Sequence, residues 1–180
     1  DQEDYDESLD RWRSGLMGIT AIDTTPGYTP PVVIGYINYG KVSLWGFDAS
    51  LAIFLSREMT LNFTYSHLGM NKFLNPVTNS YDPINAPNHK AGMQFQYTPR
   101  RLPVNFTVNA RYVDAFEWSS GIYYGNINAY TIFDLHTGYQ INDKLKANLT
   151  INNVLNHRHT EIMGGPEIGR MIVLRLQASI

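Results

Sequence analysis

The sequence predicts an all-β chain of long antiparallel strands that run up and down through a membrane as part of a barrel wall. Three observations predict it. Apolar and polar residues alternate with period two from residue 41 onward, the signature of a strand with two unlike faces. The alternating stretches run about 8 to 15 residues, whereas soluble strands cluster near 5 to 6 and a tilted strand needs about 9 to 11 to cross a bilayer. The joints between stretches alternate short and long. Those near 57, 100 and 143 are short and those near 78, 121 and 161 are long, as when one rim of a barrel carries turns and the other carries loops.

Each stretch justifies its place. The first, 41–56, sets Ser43, Trp45, Phe47, Ala49, Leu51, Ile53 and Leu55 on one face and Asp48, Ser50 and Ala52 among those on the other. The second sets Met59, Leu61, Phe63 and Tyr65 against Thr60, Asn62, Thr64 and Ser66. A loop rich in Asn, Pro and Gly follows, about 69–88. The third sets Ala91, Met93, Phe95 and Tyr97 against Gly92, Gln94 and Gln96, and "TPRRLP" turns it. The fourth sets Val104, Phe106, Val108, Ala110 and Tyr112 against Asn105, Thr107, Asn109 and Arg111, and a loop of about 114–128 follows. The fifth opposes Thr131, Phe133, Leu135, Thr137, Tyr139 and Ile141 to Ile132, Asp134, His136 and Gln140. The sixth opposes Leu145, Ala147, Leu149 and Ile151 to Lys146, Asn148, Thr150 and Asn152. After a loop of about 153–169, the last opposes Ile172, Leu174, Leu176, Ala178 and Ile180 to Val173, Arg175 and Gln177. No Asp, Glu, Lys or Arg falls on the apolar face of these strands; Asp48, Arg111, Asp134, Lys146 and Arg175 all lie on the other.

Composition bounds the rest. The chain has 180 residues, 17% charged and 13% aromatic, which suits β structure better than helix. There is no cysteine, which excludes disulfides, thiolate metal sites and thiol nucleophiles. The net charge of −2 gives no electrostatic footprint for nucleic acid. No apolar run is long enough for a membrane helix, and the acidic start "DQEDYDESLD" carries no signal-peptide pattern. A soluble sandwich of two sheets would also alternate. Strand length, loop parity and Tyr and Trp near strand ends favour the membrane.

The C-terminal stretch "AYTIFDLHTGYQINDKLKANLTINNVLNHRHTEIMGGPEIGRMIVLRLQASI" resembles the end of TonB-dependent outer-membrane receptors. In that family a strand ending near Gly-Tyr is followed by a tight turn, then a strand ending in an Asn-Leu-Phe-Asp-like signature. A loop closing in Gly-Arg precedes the terminal strand. The matching positions here are Asn153, Val154, Leu155 and Asn156, with Gly169 and Arg170 as the closing pair. "NYGKVSLWGFDASLAIFLSREMTLNFTYSH" is similar too, and "HTEIMGGPEIGR" resembles a Bacteroidetes-like branch. The family's chains end in an aromatic residue, where this one has Ile180.

The resemblance covers residues of about 35–180 and implies the C-terminal strands of a 22-stranded barrel around a plug. Residues 1–37 then read as extracellular loop with part of a strand, and 38–180 as barrel wall with three long extracellular loops. About seven strands cannot close a barrel, whose minimum is about eight. The expectation is therefore a C-terminal fragment, or one chain of a two-chain barrel, whose partners are the remainder of barrel and plug, the TonB complex acting through that plug, and outer-membrane lipid. The implied function is uptake of a scarce solute such as a siderophore, glycan or peptide across the bacterial outer membrane, with no bond chemistry. A structural or partner-binding barrel subunit, and an outer-membrane enzyme, are the other classes weighed.

Candidate sites are few. His157, His159 and Glu161 alternate on one side of an extended segment and have metal-ligand chemistry. "GGPEIG", however, supplies the chemistry of a reversing loop, and no metal or cofactor is expected. Asp134 and His136 share a strand face, yet no Ser stands in a nucleophile-elbow context, so no catalytic residue is expected. The Asn-x-Thr triplets at Asn62, Asn105 and Asn148 lie inside strands as products of alternation. Trp118, Tyr123 and Tyr124 occupy a long loop, where they would either contact a ligand or anchor in the lipid interface. Replacing inward Asp134 or Arg175 by Ala is expected to leave assembly nearly unchanged.

Overall fold

The computed structural model describes residues 41–75, 79–120 and 122–179. The readings of residues 1–37 and of Ile180 lie outside them. Period-two alternation becomes one seven-stranded antiparallel sheet in the order β1-β2-β5-β6-β9-β10-β11. Its strands are β1 (Gly46–Phe54), β2 (Met59–Leu68), β5 (His89–Tyr97), β6 (Val104–Val113), β9 (Tyr130–Asn142), β10 (Leu145–Asn152) and β11 (Met171–Ala178). Each main strand lies beside the next one in sequence, an up-and-down meander. The seven expected strands are these; the first begins at Gly46 rather than Lys41.

Register keeps like with like. On one face Leu51 lies opposite Phe63, Phe63 opposite Met93, Met93 opposite Ala110, and Ala110 opposite Phe133. Farther along, Ile151 faces Ile172 and Leu149 faces Leu174. This face is uncovered among the described residues: Leu174 is 67% exposed and Leu51 57%. So large a contiguous apolar surface on a water-soluble molecule would aggregate; against acyl chains it is the favourable surface. On the other face Asn62, Gln94, Asn109 and Asp134 fall in one register row. Asn62 Nδ2 donates to Gln94 Oε1 at 3.2 Å and Gln94 Nε2 to Asn109 Oδ1 at 3.0 Å, tying three strands with side-chain amides. A one-residue slip would exchange the two faces, so the burial requirement itself fixes the register.

The short joints share one rim. The turn after β1 is closed by Leu55 N–H and Ser56 N–H, both donating to Met59 O. Glu58 joins this turn to the next through its backbone oxygen, on Thr98 N–H, and its carboxylate, on Arg100 N–H. The turn between β9 and β10 is held by Asn142 Oδ1 on Lys144 N–H, with a bulge at Leu145/Lys146.

The opposite rim holds structure that alternation did not predict. The loop after β2 contains a hairpin of β3 (Lys72–Asn75) with β4 (Ser80–Pro83), and the loop after β6 one of β7 (Phe116–Ser120) with β8 (Tyr123–Ile127). Strands of four or five residues are too short for periodicity to separate from loop. Here too lies the apolar core of the described residues: Val113, Phe116, Ile127, Tyr130 and Ile132, with Trp118 and Met163 packed on it. Val113, Tyr130 and Ile132 share the face of Arg111 and Asp134. The polar face is thus apolar at its top, and the β7–β8 hairpin folds inward to cover it.

Leu149→Arg, at the middle of the apolar face, is expected to destabilise the assembled barrel by about 2 to 4 kcal/mol, and Arg175→Ala on the other face by much less. Denaturant titrations read by the gel shift between boiled and unboiled samples check this; the reverse order would reverse the faces.

Candidate functional site

The candidate site is the cleft where the last long loop meets the polar face, at the rim that carries the long loops. It has a volume of about 650 Å³ and is lined by Gln94, Asn109, Arg111, Asp134, His159 and Glu161 among others. Residues 153–170 build it by folding back over the sheet. Asn153 begins the fold. Its φ of 54° lies in the left-handed region that Asn tolerates better than most residues. Its backbone N–H donates to Asp134 Oδ1 at 2.8 Å, and its buried side chain closes a ring on His157, with Nδ2 donating to His157 O and Oδ1 accepting from His157 N–H. Asn156, also left-handed at φ 54°, accepts the Arg170 N–H on its Oδ1 at 2.9 Å and so ties the two ends of the loop together. Between these ends His159 and Ile168 form an antiparallel bridge.

Glu161 then reaches the barrel face. Its Oε1 lies 3.1 Å from Arg111 Nη2 on β6 and 3.3 Å from His159 Nε2. His159 is buried, its ring stacked 4.5 Å from that of Tyr130, and its Nδ1 lies 3.0 Å from His157 O. Both of its nitrogens are therefore engaged by protein. The His157 ring is 6.4 Å away and turned to Thr131 O. The set His157, His159 and Glu161 thus acts as a latch between loop and wall. His136 is engaged with Thr150 Oγ1 across β9 and β10.

The other loops join the last one. Met163 packs on Gly125 of β8, and the Tyr123 ring covers Gly164, whose φ of +80° needs a glycine. Trp118 packs on the buried cluster, 6.3 Å from Phe116. Of the three loop aromatics, Trp118 and Tyr123 have packing partners, while Tyr124 is 64% exposed. Lys72 pairs with Glu117, and Asn85 bonds the Ser119 backbone in both directions, so the β3–β4 loop leans on β7. Of the six motif positions, Asn153, Asn156 and Arg170 form the loop's hydrogen-bonded base, Val154 N–H donates to Phe133 O, and Gly169 lies against Asn156 Oδ1. Leu155 is 67% exposed. The sequence places Arg111 on the polar face without indicating a partner; only the fold brings Glu161 to it, 50 residues on.

Residues 18–154 match the family described as TonB dependent receptor-like, beta-barrel. The chain belongs to that family. Among curated proteins nothing matches. Solved structures of the same architecture include the ferric-catecholate import receptor Fiu from E. coli K12, with a TM-score of 0.58 and 18% identity over 75% of this chain and 20% of that one. The ferripyoverdine receptor of the outer membrane of Pseudomonas aeruginosa, bound to ferripyoverdine, gives 0.59 and 18% over 74% and 19%. The siderophore receptor PiuA from Acinetobacter baumannii gives 0.54 and 18% over 74% and 21%. The chain spans about a fifth of the length of these receptors. As a TonB-dependent receptor-like barrel segment, its seven-stranded sheet is a stretch of barrel wall, with an apolar outer face and a polar inner one.

Asn153→Ala removes two side-chain hydrogen bonds and a residue suited to the left-handed region. It is expected to loosen residues 153–170 by roughly 2 to 3 kcal/mol while the sheet persists. Hydrogen exchange of the loop against that of β10 tests it: protection lost equally in both would contradict a local role.

Proposed function

We propose that this chain is part of the wall and extracellular rim of an outer-membrane receptor that takes up a scarce solute. The solute binds at the cell surface and moves through a gated lumen, driven by the TonB complex acting on a plug; no covalent bond is made or broken. The observation that carries this reading is the two-faced sheet with its long loops folded inward over the polar face, in a chain of this family. Such loops narrow the lumen where an incoming solute first meets the wall, and Arg111, Asp134 and Glu161 offer it charge there. Siderophores are the first solute class to test, because the structural neighbours named above are siderophore or ferric-catecholate receptors; glycans and peptides follow. Residues 69–88, 114–128 and 153–169 are assigned to the extracellular side, and the motif "HTEIMGGPEIGR" is read as that of a Bacteroidetes-like branch of the family. Among the loop aromatics Tyr124 is the side chain best placed to touch a solute.

Cells lacking the gene are expected to lose growth on one limiting solute, and complementation should require an intact TonB complex. Iron-limited cultures fed ferric siderophores come first, then cultures fed glycans or peptides. Unaltered uptake of all three classes, or uptake that survives loss of TonB, would contradict the proposal.

A further inference from the structure

Residues 153–170 are strapped to the wall through a histidine that the uptake reading leaves without a task. His159 sits where the loop crosses the polar face, its backbone bridged to Ile168 and its side chain only 4% exposed. Its Nδ1 stands 3.0 Å from His157 O and its Nε2 3.3 Å from Glu161 Oε1. A carbonyl oxygen only accepts, so Nδ1 carries a hydrogen. That carbonyl is itself held in place, because Asn153 Nδ2 donates to it at 2.8 Å. Glu161 Oε1 also receives Arg111 Nη2 at 3.1 Å. A guanidinium there favours the ionised carboxylate, which again only accepts. Nε2 therefore carries a hydrogen as well. A ring that donates from both nitrogens is an imidazolium.

The charges around the ring agree. From β6 comes Arg111, from β9 come Asp134 and the Tyr130 ring stacked at 4.5 Å, and from the loop itself come Glu161 and the His157 ring, 6.4 Å away. On the loop's other side Arg158 and Glu167 pair with each other at 3.8 Å. Two carboxylates and one guanidinium thus line the cleft beside His159, and the group is balanced only when the imidazole is charged. Burial by itself favours the neutral ring; two acceptors within hydrogen-bond distance and the excess of negative charge oppose it. Once the ring loses a proton, either tautomer turns a lone pair toward an oxygen. With the hydrogen kept on Nδ1, Nε2 faces the Glu161 carboxylate, and the brace that steers Glu161 to Arg111 is lost. With it kept on Nε2, Nδ1 faces the His157 carbonyl, and the contact at the loop's base is lost.

We propose that His159 is a proton-sensitive catch: the last loop lies closed against Arg111 and the wall when His159 is protonated, and loosens when it is neutral. Closure takes up a proton, so acid favours the closed loop and the closure weakens as pH rises. An imidazole ordinarily changes charge between about pH 5 and 8, a range that a surface loop meets in the medium around a cell. The catch controls access to the cleft of about 650 Å³ beneath the loop. It works whichever solute enters there, so its test does not depend on uptake.

The intact receptor in detergent is followed by amide hydrogen exchange of residues 153–170 between about pH 5.5 and about 8.5, which spans the ordinary histidine transition, each rate being corrected for the chemical pH dependence of exchange. Protection of the loop relative to β10 should fall about tenfold across this range, the effect of losing one hydrogen bond to a charged group. His159→Gln, which cannot take up the proton, should show no such step whatever its overall protection, whereas His136→Gln and His157→Gln keep it. In wild type, the slow exchange of each imidazole Cε1 hydrogen reports that ring's own protonation and needs no variant to fold; the transition of His159 should coincide with the step in the loop. A flat profile in wild type, a step that survives in His159→Gln, or a His159 transition displaced from that of the loop would overturn the catch.

Discussion

A strand inside lipid must find a partner for every backbone N–H and C=O, because no water is there to supply one and each orphan costs several kcal/mol. That requirement organises this molecule. It explains why alternation runs for eight to thirteen residues in each main strand, why the joints are short at one rim, and why the long loops are gathered at the other. It also makes the sheet's two edges informative. β1 and β11 each pair on one side only within the described sheet. In a bilayer their outer edges require further strands, which fits a chain that spans about a fifth of the receptors it resembles.

Once the wall is fixed, the inner face decides what the loops do. Its middle is a lattice of amides; its top carries Arg111, Asp134 and an apolar strip of Val113, Tyr130 and Ile132. The strip recruits the β7–β8 hairpin and Met163 by burial. Asp134 and Arg111 recruit the last loop by a backbone hydrogen bond and an ion pair. The ion pair is half exposed and contributes little alone. Burial of the hairpin stabilises the rim more, while the polar contacts specify which way the loop folds. Each loop then leans on the next, so displacing one disturbs the others.

Much of this was legible in the sequence because period two is a local property: seven strands, their faces and the parity of their joints follow from reading along the chain. What escaped depends on pairs far apart. Ile132 stood among the polar-face residues as an unexplained apolar side chain, and its partner Phe116 came from a loop. Arg111 and Glu161 are 50 residues apart. The Asn153 to Asn156 motif was visible as a resemblance, but its physical content, two left-handed asparagines closing a loop base, needed backbone angles. Asp134 was expected to matter little for assembly; only the fold shows its carboxylate accepting the Asn153 N–H at the base of the last loop. His67 and His89 flanked the loop of about 69–88 until register placed them face to face.

The central claim is that one face of this sheet meets lipid and the other meets water. Single-cysteine labelling of the intact receptor in liposomes, with any cysteine outside these residues first replaced, tests it most directly. Neighbouring positions on β10 and β11 are compared with a membrane-impermeant maleimide and with quenching of an attached fluorophore by lipid-borne nitroxide. Leu149→Cys and Leu174→Cys should be quenched by lipid and resist the maleimide, whereas Asn148→Cys and Arg175→Cys should react and escape quenching. Reaction at Leu149→Cys and Leu174→Cys, with no difference between the two faces, would contradict a membrane wall and return the sheet to a water-soluble sandwich.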